Sequence, residues 1–146
     1  MELNHHEVHL MLMANPDGRK HAETGDAWRK NANTDYCVGG SRKGADLNRN
    51  FAFGWDCCGG SSNNECSAIY HGAEPASEPE TQAIQAYMLN LFGDHREEAL
   101  TEPASLNTSG IFLDIHSKGG AYTMALGYYK YTCTKQYGFS WEKICL

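Results

Sequence analysis

The run Asp46-Leu47-Asn48-Arg49-Asn50-Phe51 sets an arginine between two asparagines in a stretch rich in glycine and asparagine. A guanidinium is a planar fork that can grip a carboxylate through two hydrogen bonds, and a neighbouring amide can add another. Taken alone, the plainer explanation is stronger: a loop cation paired with an acidic neighbour. His116, in Asp114-Ile115-His116-Ser117, falls at the end of an apolar run, where the direction of a metal ligand would be fixed. A lone histidine at a strand end is more often structural. Asp114 lies two residues earlier on the same strand face, either as a surface group or as support for its neighbour. The cysteines offer two chemistries. Four of the six, Cys37, Cys57, Cys58 and Cys66, fall within thirty positions, which favours disulfides and an oxidising compartment. A zinc cluster is the rival, and no CxxC pair supports it.

Such side chains need a frame to hold them. Val8, Leu10 and Leu12 share one face of an extended run, with Met11 and Met13 on the other. Apolar residues on both faces predict a strand buried inside a sheet. Asn15-Pro16-Asp17-Gly18 is a turn sequence that ends it. From Arg19 to Ala76 the chain is loop-dominated, a length that signals function or disulfide support. A helix follows, with Ser77 as its cap, Glu80 completing a capping box and Pro79 in the first turn. Ile84, Tyr87, Met88 and Leu91 form its apolar face, and Gly93 stops it. Residues 110–116 read as a second strand. Strand, loops, helix and strand predict an α/β fold. Two strands and one helix are too few to complete its sheet, so the chain is expected to be a piece of one.

At 146 residues the chain can form one domain with a core. Its net charge of −6 argues against nucleic-acid binding, which needs a basic face. No apolar run is long enough to span a bilayer, and the first residues lack the basic-then-apolar pattern of a signal peptide. The charge is uneven: residues 1–117 carry a net of −9, and residues 118–146 a net of +3.

Six short motifs occur in one order: Asn15–Gly18, Trp28–Asn31, Asp46–Phe51, Tyr70–Gly72, Ser77–Thr81 and Asp114–Ser117. In that order, over roughly residues 8–117, the chain resembles the zinc metallocarboxypeptidases of the carboxypeptidase A, B and T type, especially the bacterial branch. The resemblance implies part of a carboxypeptidase-like mixed-sheet α/β fold with flanking helices, and a zinc-dependent enzyme that removes C-terminal residues from peptides or proteins. By motif, Arg29 matches the arginine that polarises the scissile carbonyl and holds the oxyanion, a fixed cation aimed at developing charge. Asn48 and Arg49 match the pair that binds the substrate's terminal carboxylate. Asp46 matches the carboxylate that orients a zinc-bound histidine, and His116 matches a zinc ligand. The resemblance also implies a disulfide between Cys37 and Cys66 and an extracellular or periplasmic location. The pairing of Cys57 and Cys58 stays open.

The family places two further zinc ligands in an H-x-x-E pair upstream of the Asn15–Gly18 motif. Only 14 residues precede Asn15, and they hold no such pair. His71…Glu74 and His95…Glu98 have the spacing but lie downstream, in the wrong order, and are poor candidates. The general base, a glutamate further along the family's chain, has no match either. The 146-residue chain by itself is therefore expected to be inactive and to bind zinc weakly. Two rival readings share the motifs: an enzyme of the same family acting on bacterial cell-wall peptides, and a non-catalytic remnant that holds peptide carboxylates with Arg49.

Residues 1–117 are expected to form the family segment and 118–146 a divergent tail. Five of the eight tyrosines lie in that tail. A slip of the reading frame just after Ser117 would account for them, for the reversed charge and for the missing glutamate. Read one nucleotide later, the tail can yield the family's apolar strand and its aromatic-Pro-aromatic-Gly turn. The slip requires Ala125, Leu126 and Gly127 to be encoded GCC, CTG and GGG. Sequencing the DNA decides the matter, and other codons at those three positions reject the slip.

Overall fold

The computed structural model describes residues 7–57, 59–92, 112–114 and 123–125. Three helices come first: α1 (Pro16–Glu23), α2 (Leu47–Asn50) and α3 (Pro79–Phe92). Two short strands follow, β1 (Phe112–Asp114) and β2 (Thr123–Ala125). Among the described residues, no helix is long and apolar enough to cross a membrane.

The Asn15–Gly18 motif opens α1 instead of making a turn. The Asn15 Oδ1 accepts from the Gly18 N–H at 2.9 Å, which satisfies a helix-start donor that has no intrahelical partner. Pro16 takes the first helical position, where its missing N–H is harmless, and Asp17 faces the positive end of the helix. Asparagine, proline and aspartate in that order are a helix-start signal as much as a turn signal. The Asn15 amide also donates to the Lys30 carbonyl at 3.0 Å, which docks α1 on the segment that carries Arg29. Gly18 sits in that joint. A Cβ there would run into both the Asn15 side chain and the Lys30 carbonyl.

The buried strand expected over residues 8–13 does not form. Val8, Leu10 and Leu12 are 60%, 76% and 86% exposed, and the only described sheet is β1 paired with β2. A strand's N–H and C=O groups need a neighbouring strand, and no described segment offers one here. Periodicity states what a run of residues could pack against, not that the partner is at hand. The C-terminal half of the expectation holds over three residues. β1 pairs antiparallel with β2, Phe112 opposite Ala125, Leu113 opposite Met124 and Asp114 opposite Thr123.

α3 lies where the sequence puts it, with a different cap. The helix begins at Pro79, and the Glu78 carbonyl accepts its first bond from the Gln82 N–H at 3.0 Å. The Ser77 hydroxyl does not cap; it donates to the Glu78 carboxylate at 2.8 Å. Glu80 does not close a capping box either, because its carboxylate accepts from the Asn31 amide at 3.2 Å. Ile84 and Met88 are buried with Thr81. Tyr87 turns outward, and its hydroxyl meets His9 Nδ1 at 2.6 Å. Gly93 lies outside the described residues.

Between α1 and α3 the buried centre is largely polar. Lys30, Asn31, Asp46, Asn50, His71, Glu78 and Thr81 are all buried, against few apolar side chains. Hydrogen bonds and a covalent link must therefore hold the loops in place of an apolar core. The link is the disulfide Cys37–Cys66, with its Cα atoms 4.9 Å apart. The Glu65 carboxylate braces it by accepting from the Cys37 N–H at 3.0 Å. Closing a loop of 29 residues stabilises by about 3.5 kcal/mol. Reductant should thus lower the urea midpoint of the native chain and leave that of a Cys37→Ser, Cys66→Ser variant unmoved. Equal midpoints for the native chain with and without reductant would contradict this. Cys57 is exposed and has no disulfide partner among the described residues, and Cys58 lies outside them.

Candidate active site

The loop of residues 28–33 and the segment 44–50, which includes α2, meet edge to edge. The Asn31 N–H donates to the Ala45 carbonyl at 2.9 Å, and the Asn31 Oδ1 accepts from the Ala45 N–H at 2.8 Å. One residue thus clamps both polar groups of Ala45. The approach is so close that a Cβ on Gly44 would strike the Asn31 carbonyl and its Oδ1. The φ of +87° at Gly44 also favours glycine.

The clamp brings Arg29 beside Asp46. The Arg29 Nε donates to Asp46 Oδ2 at 2.6 Å. The Asp46 side chain is 2% exposed and that of Arg29 is 38% exposed, so a buried carboxylate holds a cation that reaches the surface. The other oxygen of Asp46 caps α2, accepting from the Asn48 N–H at 3.2 Å. Asp46 therefore joins Arg29 to the turn that carries Asn48 and Arg49. Burial pushes its carboxyl above the ordinary value, while the Arg29 charge and hydrogen bond and the Arg49 charge pull the other way.

Arg49 is half-buried. Its Nε donates to the Gly60 carbonyl at 2.7 Å and its Nη1 to the Asn48 carbonyl at 3.1 Å, which fixes the plane of the guanidinium. The Asn48 Nδ2 is buried and, among the described residues, lacks a hydrogen-bond partner. An unpaired buried donor costs about 1–3 kcal/mol, and an arriving acceptor such as a carboxylate oxygen would relieve that cost.

Behind these residues lies a second layer that the sequence did not single out. The Asn50 amide donates to His71 O, Glu74 O and Ser77 Oγ at 2.9, 3.2 and 2.9 Å. Its Oδ1 accepts from the Glu78 N–H at 3.0 Å. Glu78 is fully buried, and its Oε2 accepts from Asn31 Nδ2 at 2.7 Å and Asn33 Nδ2 at 3.0 Å. Burial alone would raise its carboxyl. Hydrogen bonds from Asn33, Asn31, Ser77 and Tyr36 outweigh burial and hold it below its ordinary value. Lys30 is buried beside them, its Nζ donating to Arg42 O at 2.8 Å and Glu65 O at 2.6 Å. Burial lowers its ammonium below the usual lysine value, against the pull of Asp46 and Glu65. Glutamate before proline at a helix start hints at such a role only weakly, because spacing cannot reveal burial.

The fold thus assembles Arg29, Asp46, Asn48 and Arg49 at one place. His116 lies outside the described residues, as do His95 and Glu98. His71 and Glu74 do not form a ligand pair. His71 is buried, with its Nδ1 2.8 Å from Gly72 O and its Nε2 3.6 Å from Asp56 Oδ1, and Glu74 is exposed. Among the described residues no three His, Cys, Asp or Glu side chains converge as a metal site needs.

The sequence profile of the family described as zinc carboxypeptidase matches residues 2–141. The chain belongs to the zinc carboxypeptidase family. It is 39% identical over 90 residues to carboxypeptidase B2 of Bos taurus, covering 59% of this chain and 20% of that protein. Against carboxypeptidase B of Astacus astacus it is 41% identical over 88 residues, covering 60% and 28%. Its fold is similar to the crystal structure of carboxypeptidase A from Helicoverpa armigera, with a TM-score of 0.50 and 42% identity over 55% of this chain and 19% of that one. The likeness places the chain with the α/β carboxypeptidases. The chain spans between 19% and 28% of the length of these relatives. All three organisms are animals, so the expected bacterial placement finds no support. The motifs behind that placement carry the chemistry of the site, and shared chemistry does not separate one branch from another.

Proposed function

We propose that this chain is the carboxylate-gripping part of a secreted zinc metallocarboxypeptidase that removes C-terminal residues from peptides and proteins. The observation that carries the reading is the grouping of Asn48 and Arg49 on one helical turn, tied through Asp46 to Arg29. Arg49 and Asn48 hold the terminal carboxylate, an acceptor group that an internal peptide bond cannot present. Arg29 meets the negative charge that develops on the scissile carbonyl oxygen. Asp46 orients Arg29 and fixes the start of α2, so the distance between the two cations is set before substrate arrives. Family membership implies zinc, which supplies a water activated for attack. The described residues do not assemble a site for it, and no step is routed through it. His116, at the end of the segment that contains β1, is proposed as one of its ligands.

The enzyme's sheet is proposed to be mixed. The disulfide supports an extracellular location. The family match runs past Ser117, so the codons at Ala125 to Gly127 remain the test of whether residues 118–146 are in frame. The function itself is tested by mass spectrometry of two peptides, identical except that one ends in a free carboxylate and the other in an amide. The zinc-loaded enzyme carrying this segment should shorten the first by single residues, stop when a chelator is added and shorten the second far more slowly. Cleavage at internal bonds, or equal trimming of both peptides, would overturn the reading.

A further inference from the structure

Glu78 closes a ring of hydrogen bonds around the candidate site. Its carboxylate draws in the Asn31 amide at 2.7 Å. Asn31 clamps Ala45 by both polar groups. Ala45 leads directly into Asp46 and α2, and the last residue of α2, Asn50, accepts from the Glu78 N–H at 3.0 Å. Arg29 stands two residues before Asn31, while Asn48 and Arg49 lie between Ala45 and Asn50. The segment that bears one cation and the segment that bears the other are thus both anchored on a single buried residue.

A carboxylate suits this position because it only accepts. It takes amide donors from Asn31 and Asn33 on one oxygen and the Ser77 hydroxyl on the other. Exchanging the carboxylate and amide between Glu78 and Asn31 would keep one donor facing one acceptor at the shorter contact, while the Glu80 carboxylate, 3.2 Å from the same amide, would lose its donor. Two carboxylates facing each other would repel and spread the ring.

Resting on the carboxypeptidase reading above, we infer that Glu78 is a positioning residue that sets the distance between Arg29 and the Asn48–Arg49 grip. It acts through Asn31 and Asn50 without touching substrate. A misplacement of about 1 Å between binding groups lowers turnover by roughly 100-fold, so the ring governs both rate and selectivity.

The test uses the zinc-loaded enzyme carrying this segment, in three variants: Asn31→Asp, Glu78→Gln, and the two together. Each is measured for kcat and KM on matched free-carboxylate and amidated peptides, for Kd of N-acetylphenylalanine against its amide, and for Tm. Asn31→Asp should lose roughly 100-fold in kcat/KM on the free peptide and less on the amidated one. Adding Glu78→Gln should recover at least about tenfold of activity and of selectivity, because the shorter donor–acceptor pair returns, and recovery should stay partial because Glu80 still faces a carboxylate. Should Asn31→Asp fail to fold, Glu78→Gln alone should weaken N-acetylphenylalanine binding well below its Tm and leave binding of the amide unchanged. Recovery of Tm without recovery of selectivity would overturn the inference, as would an unchanged Kd in Glu78→Gln. A native enzyme with no preference for the free carboxylate would overturn the underlying carboxylate reading and this inference with it. That result is visible before any variant is made.

Discussion

Truncating Glu78 to alanine should lower the unfolding free energy of the chain by about 3 kcal/mol, because the buried donor on Asn31 and the part-buried donors on Asn33 and Ser77 lose their acceptor together. Urea unfolding followed by tryptophan fluorescence reads the effect, and a loss under about 1 kcal/mol would show that the network closes without it. The same residue sets a response to acid. Its carboxyl lies below its ordinary value in the folded state. The stability it contributes is therefore complete above the unfolded glutamate value of about 4.3 and is lost as pH falls through the lower folded value. Glu78→Gln should flatten the acid limb below about pH 4.3. Asp46 has the opposite sign, since burial raises its carboxyl, and it cannot be the source of that limb.

Arg29→Ala should lower kcat of the complete enzyme by about 100- to 1,000-fold and change KM little. The charge it meets develops only as the carbonyl is attacked, and removing one such donor typically has that effect. Replacing Arg29 also leaves the buried Asp46 without its 2.6 Å partner, so Tm must be measured alongside. A rise in KM with kcat preserved would assign Arg29 to ground-state binding and remove it from the oxyanion role.

Much of the candidate site's grouping was legible in the sequence because three of its residues are neighbours. Asp46, Asn48 and Arg49 share one turn of α2, and side chains that close in sequence are necessarily close in space. Arg29 could be placed with them only by resemblance. Nothing in its spacing shows that Asn31 docks on Ala45, a contact that depends on the bare backbone of Gly44. Glu78 escaped notice for a related reason: a glutamate before a proline at a helix start looks like solvent-facing dipole support. Its burial arises from Asn31, Asn33 and Asn50, which approach it from distant positions.

The elements show the same division between local and long-range causes. α3 was legible because Ile84 and Met88 recur at helical spacing and both pack inward. Its cap was misplaced by one residue, since local sequence does not show that Asn50 donates to the Ser77 hydroxyl and accepts from the Glu78 N–H. The Asn15–Gly18 motif serves turns and helix starts alike, and the docking of Asn15 on Lys30 selects the helix. Residues 8–13 carry a strand's pattern, but a strand is completed by its neighbour, which local pattern does not supply.

The central claim is that Arg49 grips the terminal carboxylate of a peptide, and the most direct test compares kcat/KM of Arg49→Ala with that of the native enzyme on the matched free and amidated peptides. Loss of a bidentate charged contact should cost roughly 100-fold on the free peptide and less than about threefold on the amidated one. Equal losses on the two peptides would contradict the account.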